Sequence, residues 1–145
     1  MKKKIAFLLL VALLVTGCNN NHEYGNIENP NIEIEYLIPT DYDFNNAIDD
    51  GFVVYQMQKV SNESKIDEFI NDTINKKDST LTTIHYTIEG DAVVQQFQYK
   101  NGKYYVIYDA TRDAHSNSKE VTKKEIAGVK MEINPNGNTK YLIEK

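Results

Sequence analysis

The chain has one cysteine, Cys18, and it stands at the end of the most apolar stretch of the sequence. Lys2-Lys3-Lys4 opens the chain, Ile5 to Val15 carries no polar side chain, and Thr16-Gly17 leads into Cys18. A basic head followed by a short apolar run is the pattern of a secretory leader. The lysines stay on the cytoplasmic side, which sets the direction of insertion. A run this short falls well below the ~20 residues that a permanent membrane-spanning helix needs. The fold must therefore be built from the residues beyond Cys18, and with one cysteine it has no internal disulfide to draw on. Its stability has to come from an ordinary apolar core.

Val15-Thr16-Gly17-Cys18 resembles the bacterial lipobox, in which an aliphatic residue and two small ones precede an acylated cysteine. The small residues let the chain enter a peptidase cleft, and the thiol takes the diacylglyceryl group. The competing readings are an ordinary leader with a chance cysteine and a buried N-terminal helix. Both leave unexplained why the sole cysteine ends the apolar run. The sequence thus predicts a leader over 1–17, cleavage before Cys18, and a lipid anchor on the outer face of the cell membrane. Each buried CH₂ contributes about 0.8 kcal/mol, so two acyl chains (palmitate-like in length) hold without help from protein charge.

Cleavage there leaves about 128 residues, enough for one domain and a tether. It also leaves about 13 basic residues against 21 acidic ones, a net charge of about −8. Such a surface is repelled by nucleic acid and by anionic headgroups, which argues against a nucleic-acid partner. Ten Tyr, no Trp and frequent Asn, Lys and Ile fit a low-GC Gram-positive source.

Residues 19–31 are polar, without sustained periodicity, and read with the flanking positions as a lipidated tether over 18–42. His22 falls in this stretch. Ile32-Glu33-Ile34-Glu35-Tyr36 alternates as a short strand would, and Pro39 ends it. From residue 43 to 145 the pattern is that of one globular domain. Asp43 is placed to cap a helix over Phe44 to Asp50, with Gly51 at its C-terminal turn. Phe52 to Gln58 reads as a strand. The main helix comes next, with Ser61, Asn62 or Ser64 as cap, acids Glu63, Asp67 and Glu68 at its start and Lys76-Lys77 at its close. Ile66, Phe69, Ile70 and Ile74 share one face at helical spacing.

Thr80 to Glu89 alternates, with Ile84, Tyr86 and Ile88 on one side and Thr83, His85 and Thr87 on the other. Gly90-Asp91 turns the chain into a strand over Ala92 to Lys100, and Asn101-Gly102 makes a tight hairpin into Lys103 to Asp109. Shorter strands are expected at Lys119 to Ile126, Val129 to Ile133 and Lys140 to Ile143, with Asn136-Gly137 as a further hairpin turn. The fold class is α+β: an antiparallel meander with one main amphipathic helix packed on one face.

The candidate chemistry is sparse. Asp41-x-Asp43-x-Asn45 imitates the first half of a calcium loop, but Asn46 stands where glycine belongs and Phe52 where the closing glutamate belongs. Helix capping is the simpler use of these side chains, and no metal or other cofactor is expected. His85, on a strand, has the chemistry of a general base, but no nucleophile motif accompanies it. His115 lies in a Ser/Asn-rich loop. Tyr86, Tyr99, Tyr104, Tyr105 and Tyr108 crowd the meander. Tyr104 and Tyr108 belong to the core face, while Tyr105 and Ile107 need cover from the C-terminal strands or else form a sticky surface. In Asp109-Ala110-Thr111-Arg112-Asp113, Arg112 either clamps an anionic ligand or pairs with Asp109 or Asp113 to fix the turn. Tyr105, Asp109, Arg112 and Asp113 are therefore the candidate contact residues.

Ala47-Ile48-Asp49-Asp50-Gly51-Phe52-Val53-Val54, Lys65-Ile66-Asp67-Glu68-Phe69, Tyr86-Thr87-Ile88-Glu89-Gly90-Asp91 and Tyr108-Asp109-Ala110-Thr111-Arg112-Asp113 resemble the blocks of a bacterial lipoprotein family, domain of unknown function 4362, found mainly in Bacillus-like organisms. The resemblance runs over about residues 43–145 and carries no activity. Members often have a C-terminal cysteine pair that this chain lacks. The expected function is a non-catalytic binding module on the outer face of the membrane, with an envelope protein or ligand as partner. The alternatives are an envelope enzyme or accessory using His85 or the Asp109/Asp113 pair, and an inhibitor or immunity protein acting by strand addition.

Overall fold

The computed structural model describes residues 38–39, 41–57, 59–118, 120–134 and 140–145. Cys18, His22, the tether, the alternating stretch 32–36 and the Asn136-Gly137 turn lie outside the described residues. The elements in chain order are α1 (Phe44–Asp49), β1 (Val53–Gln56), β2 (Lys59–Ser61), α2 (Ser64–Ile74), β3 (Ser79–Tyr86), β4 (Ala92–Lys100), β5 (Lys103–Asp109), β6 (Thr122–Ile126), β7 (Val129–Ile133) and β8 (Lys140–Glu144).

The class is α+β, and the sheet is mixed. Six strands lie in the order β2-β1-β3-β4-β5-β6, and β7 and β8 pair as a separate hairpin. Every neighbouring pair in the six-stranded sheet is antiparallel except β1 and β3, which run parallel with Val54 beside Ile84 and Gln56 beside Tyr86. A parallel neighbour needs a crossover, and the chain supplies one through β2 and α2. The antiparallel meander expected from the sequence holds only from β3 to β6.

Laterally paired residues point to the same side of a sheet, so the register sorts the core into two layers. On one face Val53, Leu81, Phe97, Tyr99 and Val106 meet Ile66 and Phe69 of α2, with Val129 and Leu142 of the β7–β8 hairpin. On the other face Val54, Ile84, Ala92 and Val94 pack with Ile38, Tyr42 and Ala47. Both faces of the sheet carry a core, where the sequence led us to expect one. Ile84 and Tyr86 lie on the α1 side and not under the main helix.

Asp43 caps α1 as expected, its Oδ1 accepting the backbone N–H groups of Asn45 at 2.7 Å and Asn46 at 3.0 Å. Asn101 and Gly102 both take positive φ, 51° and 78°, as a tight two-residue hairpin turn demands. Four expectations change, the first being that Tyr108, assigned to the core face, is 39% exposed. Glu63 takes the N-cap position of α2 with no side-chain bond to the helix. Ile74, assigned to its buried face, is exposed, and Thr73 is buried in its place, its hydroxyl donating to the carbonyl of Ile70. The folded unit also begins before residue 43, because Ile38 and Tyr42 are core residues.

The C-terminal hairpin covers the α2 face, so it is not the cover expected for Tyr105 and Ile107. Besides Val129 and Leu142, it is fixed by polar contacts at one end. The Tyr55 hydroxyl donates to the carbonyl of Lys140 at 2.9 Å, Glu63 accepts the Lys140 N–H at 2.5 Å, and the Lys140 ammonium pairs with Asp67. No cysteine pair is needed for this placement.

Candidate functional site

β5 and the loop after it carry the residues singled out from the sequence. Asp109 ends the strand beside Val94, on the α1 face of the sheet. Its Oδ1 accepts both the backbone N–H and the hydroxyl of Thr111, at 3.0 and 2.7 Å. Its Oδ2 pairs with Arg112 at 2.5 Å, and the two side chains are only 11% and 5% exposed. Arg112 also donates through Nε to the carbonyl of Pro39 at 3.2 Å and through a terminal nitrogen to the carbonyl of Ile38. The guanidinium is turned inward: it closes the loop and ties down the incoming chain. Asp113 takes no part in this pair, and its carboxylate accepts the backbone N–H of His115. Of the two uses open to Arg112 on sequence grounds, the described geometry is that of pairing with Asp109.

Tyr105 lies on the same face, beside Gln98 of β4, and is half-buried. The ammonium of Lys123 sits 5.2 Å from its ring centre, in the position where the negative face of the ring attracts a cation. Beneath them runs a buried polar row. Gln96 donates from Nε2 to the hydroxyl of Thr82 at 3.1 Å, and Gln98 donates from Nε2 to Oε1 of Gln96 at 2.8 Å. The Gln98 side-chain oxygen is itself buried, and no donor among the described residues reaches it. A buried acceptor without a donor is costly. Sequence reasoning passed over this row. Its trace was the Gln96-x-Gln98 spacing, which puts two amides on one side of β4.

His85 occupies the opposite face. It is paired laterally with Tyr55 and Val93, and its ring stacks on Tyr55 at 4.2 Å with 7° between planes. One side of the imidazole is open to solvent, and crowding on the other lowers its pKa from the ordinary 6.5. Burial first, and then the charge of Glu63, push the Tyr55 hydroxyl up to about 12. Asp109 and His85 point to opposite faces, so the two alternatives of an enzyme reading, His85 or the Asp109/Asp113 pair, are separate places on the sheet. Asp43, the centre of the calcium-like triplet, spends its carboxylate on the α1 cap. Among the described residues, no group of three or more His, Cys, Asp or Glu is arranged to hold a metal ion.

The family model described as Domain of unknown function (DUF4362) matches residues 49–142. The chain belongs to this family. The match spans the sheet from α1's last residue into β8, so the family takes in the α2-face core, the strand residues of the other layer and the Asp109–Arg112 loop. No curated protein and no solved structure matches the chain. Within the family's span, the Tyr105–Lys123–Gln98 neighbourhood is the described place where a half-open aromatic, a cation and an unsatisfied buried acceptor come together.

Proposed function

We propose that this family member is a lipid-anchored, non-catalytic binding module on the outer face of the cytoplasmic membrane, acting on an envelope protein or ligand. The observation that carries the reading is the run from Lys2 to Cys18: a basic head, an apolar stretch and the only cysteine of the chain behind Thr16-Gly17. Among the described residues no helix is long and apolar enough to cross a membrane. The contact it favours is Tyr105 with Lys123, beside the Gln98 oxygen, and Arg112 serves as the fastener of the loop behind them. The phenol and the ammonium, the partly exposed groups of this neighbourhood, suit a partner offering hydrogen-bond acceptors.

The test is fractionation of cells expressing the parent or Cys18→Ser. The parent should sediment with membranes, and the variant should keep its leader or be released in soluble form. A variant that fractionates with membranes as the parent does, at the same apparent mass, overturns the anchoring.

A further inference from the structure

Strand direction sorts the exposed apolar side chains by end of the sheet. β1 and β3 run parallel with Gln56 beside Tyr86, so the turns that succeed them leave at the same end. Met57 lies in the first turn and Ile88 in the second, and they are 89% and 92% exposed. β7 runs toward this end too, since Tyr55 near the end of β1 donates to the carbonyl of Lys140, the residue paired with Ile133. Ile133 is 58% exposed. The opposite end holds the Asn101-Gly102 turn and the connection from α2 to β3, where Asp78 accepts the Asn101 N–H. Ile74 is the exposed apolar residue there, at 73%.

The incoming chain meets the domain at the Met57–Ile88 end. Asp109 pairs with Val94 near the start of β4, and Arg112, just beyond it, holds the carbonyls of Ile38 and Pro39. The covalent path from Cys18 to Ile38 spans at most about 70 Å, and it joins the described fold at this end. We propose that this end sits on the bilayer, with Met57 and Ile88 in the headgroup region and Ile133 alongside. The proposal rests on the lipid-anchor reading of Cys18. Two or three apolar tips are too little to hold a protein on a membrane, but an acyl anchor keeps the bilayer at high effective concentration, where weak contacts operate. Glu89 and Asp91 follow Ile88 while Lys59 lies beside Gln56, so this end carries charges of both signs and the proposed contact is the apolar one.

The full chain, exported and processed in cells, is purified with its anchor and reconstituted in phosphatidylcholine vesicles containing nitroxide-labelled lipid. Met57→Cys, Ile88→Cys and Ile74→Cys each take an environment-sensitive fluorophore, the Cys18 thiol being blocked by lipid. Emission from positions 57 and 88 should shift to the blue and be quenched at least about threefold by the nitroxide lipid, while position 74 is unaffected. Water-like emission at all three positions, in protein that floats with the vesicles, overturns the proposal and leaves the anchor standing. A blue shift without lipid quenching places a second copy of the chain on this end and overturns it as well. A parent that fails to float removes the anchor and the proposal together.

Discussion

Arg112 and Asp109 form the most heavily committed polar pair of the described residues, and their value is structural. Two charges with this little exposure are costly to take out of water, and each is tolerable only because the other is there. Arg112→Ala leaves the Asp109 carboxylate uncompensated and frees the Ile38 and Pro39 carbonyls. It should lower unfolding free energy by about 3–5 kcal/mol, read from urea denaturation. A loss below about 1 kcal/mol would mean that the pair is solvated in solution. His85 supplies a pH-dependent expectation whose sign comes from desolvation. Its folded pKa lies below 6.5, so the unfolded chain binds the proton more readily. Stability therefore falls as pH drops through 6.5 toward the lowered folded value, and this contribution is constant above 6.5. Solvent at the open side of the ring keeps the effect small. Comparing denaturation midpoints between pH 7.5 and 5.5, His85→Gln should flatten the slope of the parent. An unchanged slope would show that His85 does not titrate differently on folding.

At the level of elements, local signals and tertiary packing divided the work. Asn101-Gly102 was legible because few residues tolerate two successive positive φ angles, and β5 then begins and ends where the alternation does. Asp43 ahead of Phe44, with Gly51 at the C-terminal turn, was legible as a cap for the same kind of local reason. β2 was not: Lys59–Ser61 has three residues and no period to read, yet it starts the crossover that makes β1 and β3 parallel. The amphipathic reading of α2 failed at Ile74 because the buried stripe runs through Ile66, Phe69 and Thr73, which leaves Ile74 on its flank. The face covered by the C-terminal hairpin was equally beyond local pattern, since nothing in Val129 to Ile133 says which side of the sheet it meets. The edges of the described sheet, short β2 and lysine-bearing β6, are of the kind that discourages pairing with another chain, which weighs against action by strand addition. Leu142→Ala should cost about 2–4 kcal/mol, because the hairpin side chain is part of the α2-face core. A near-neutral effect on global unfolding would show that the hairpin opens as a separate unit.

Taken whole, the molecule is a sheet with a core on each face and a marked difference between its two ends. One end receives the incoming chain and presents Met57, Ile88 and Ile133, and the other presents the Asn101-Gly102 turn and the end of α2. The candidate contact at Tyr105 and Lys123 was half legible: the tyrosine stood out in the sequence, whereas the cation and the glutamine row come together only through β4–β5–β6 register. Family membership supports the fold span and leaves the activity open to the binding reading. All of that reading depends on the fate of one thiol. Intact mass and N-terminal peptide analysis of the protein extracted from cell membranes tests it most directly. The account predicts a chain beginning at Cys18 with a diacylglyceryl group on sulfur. A chain that retains Met1, or one cut elsewhere with Cys18 unmodified, would contradict it.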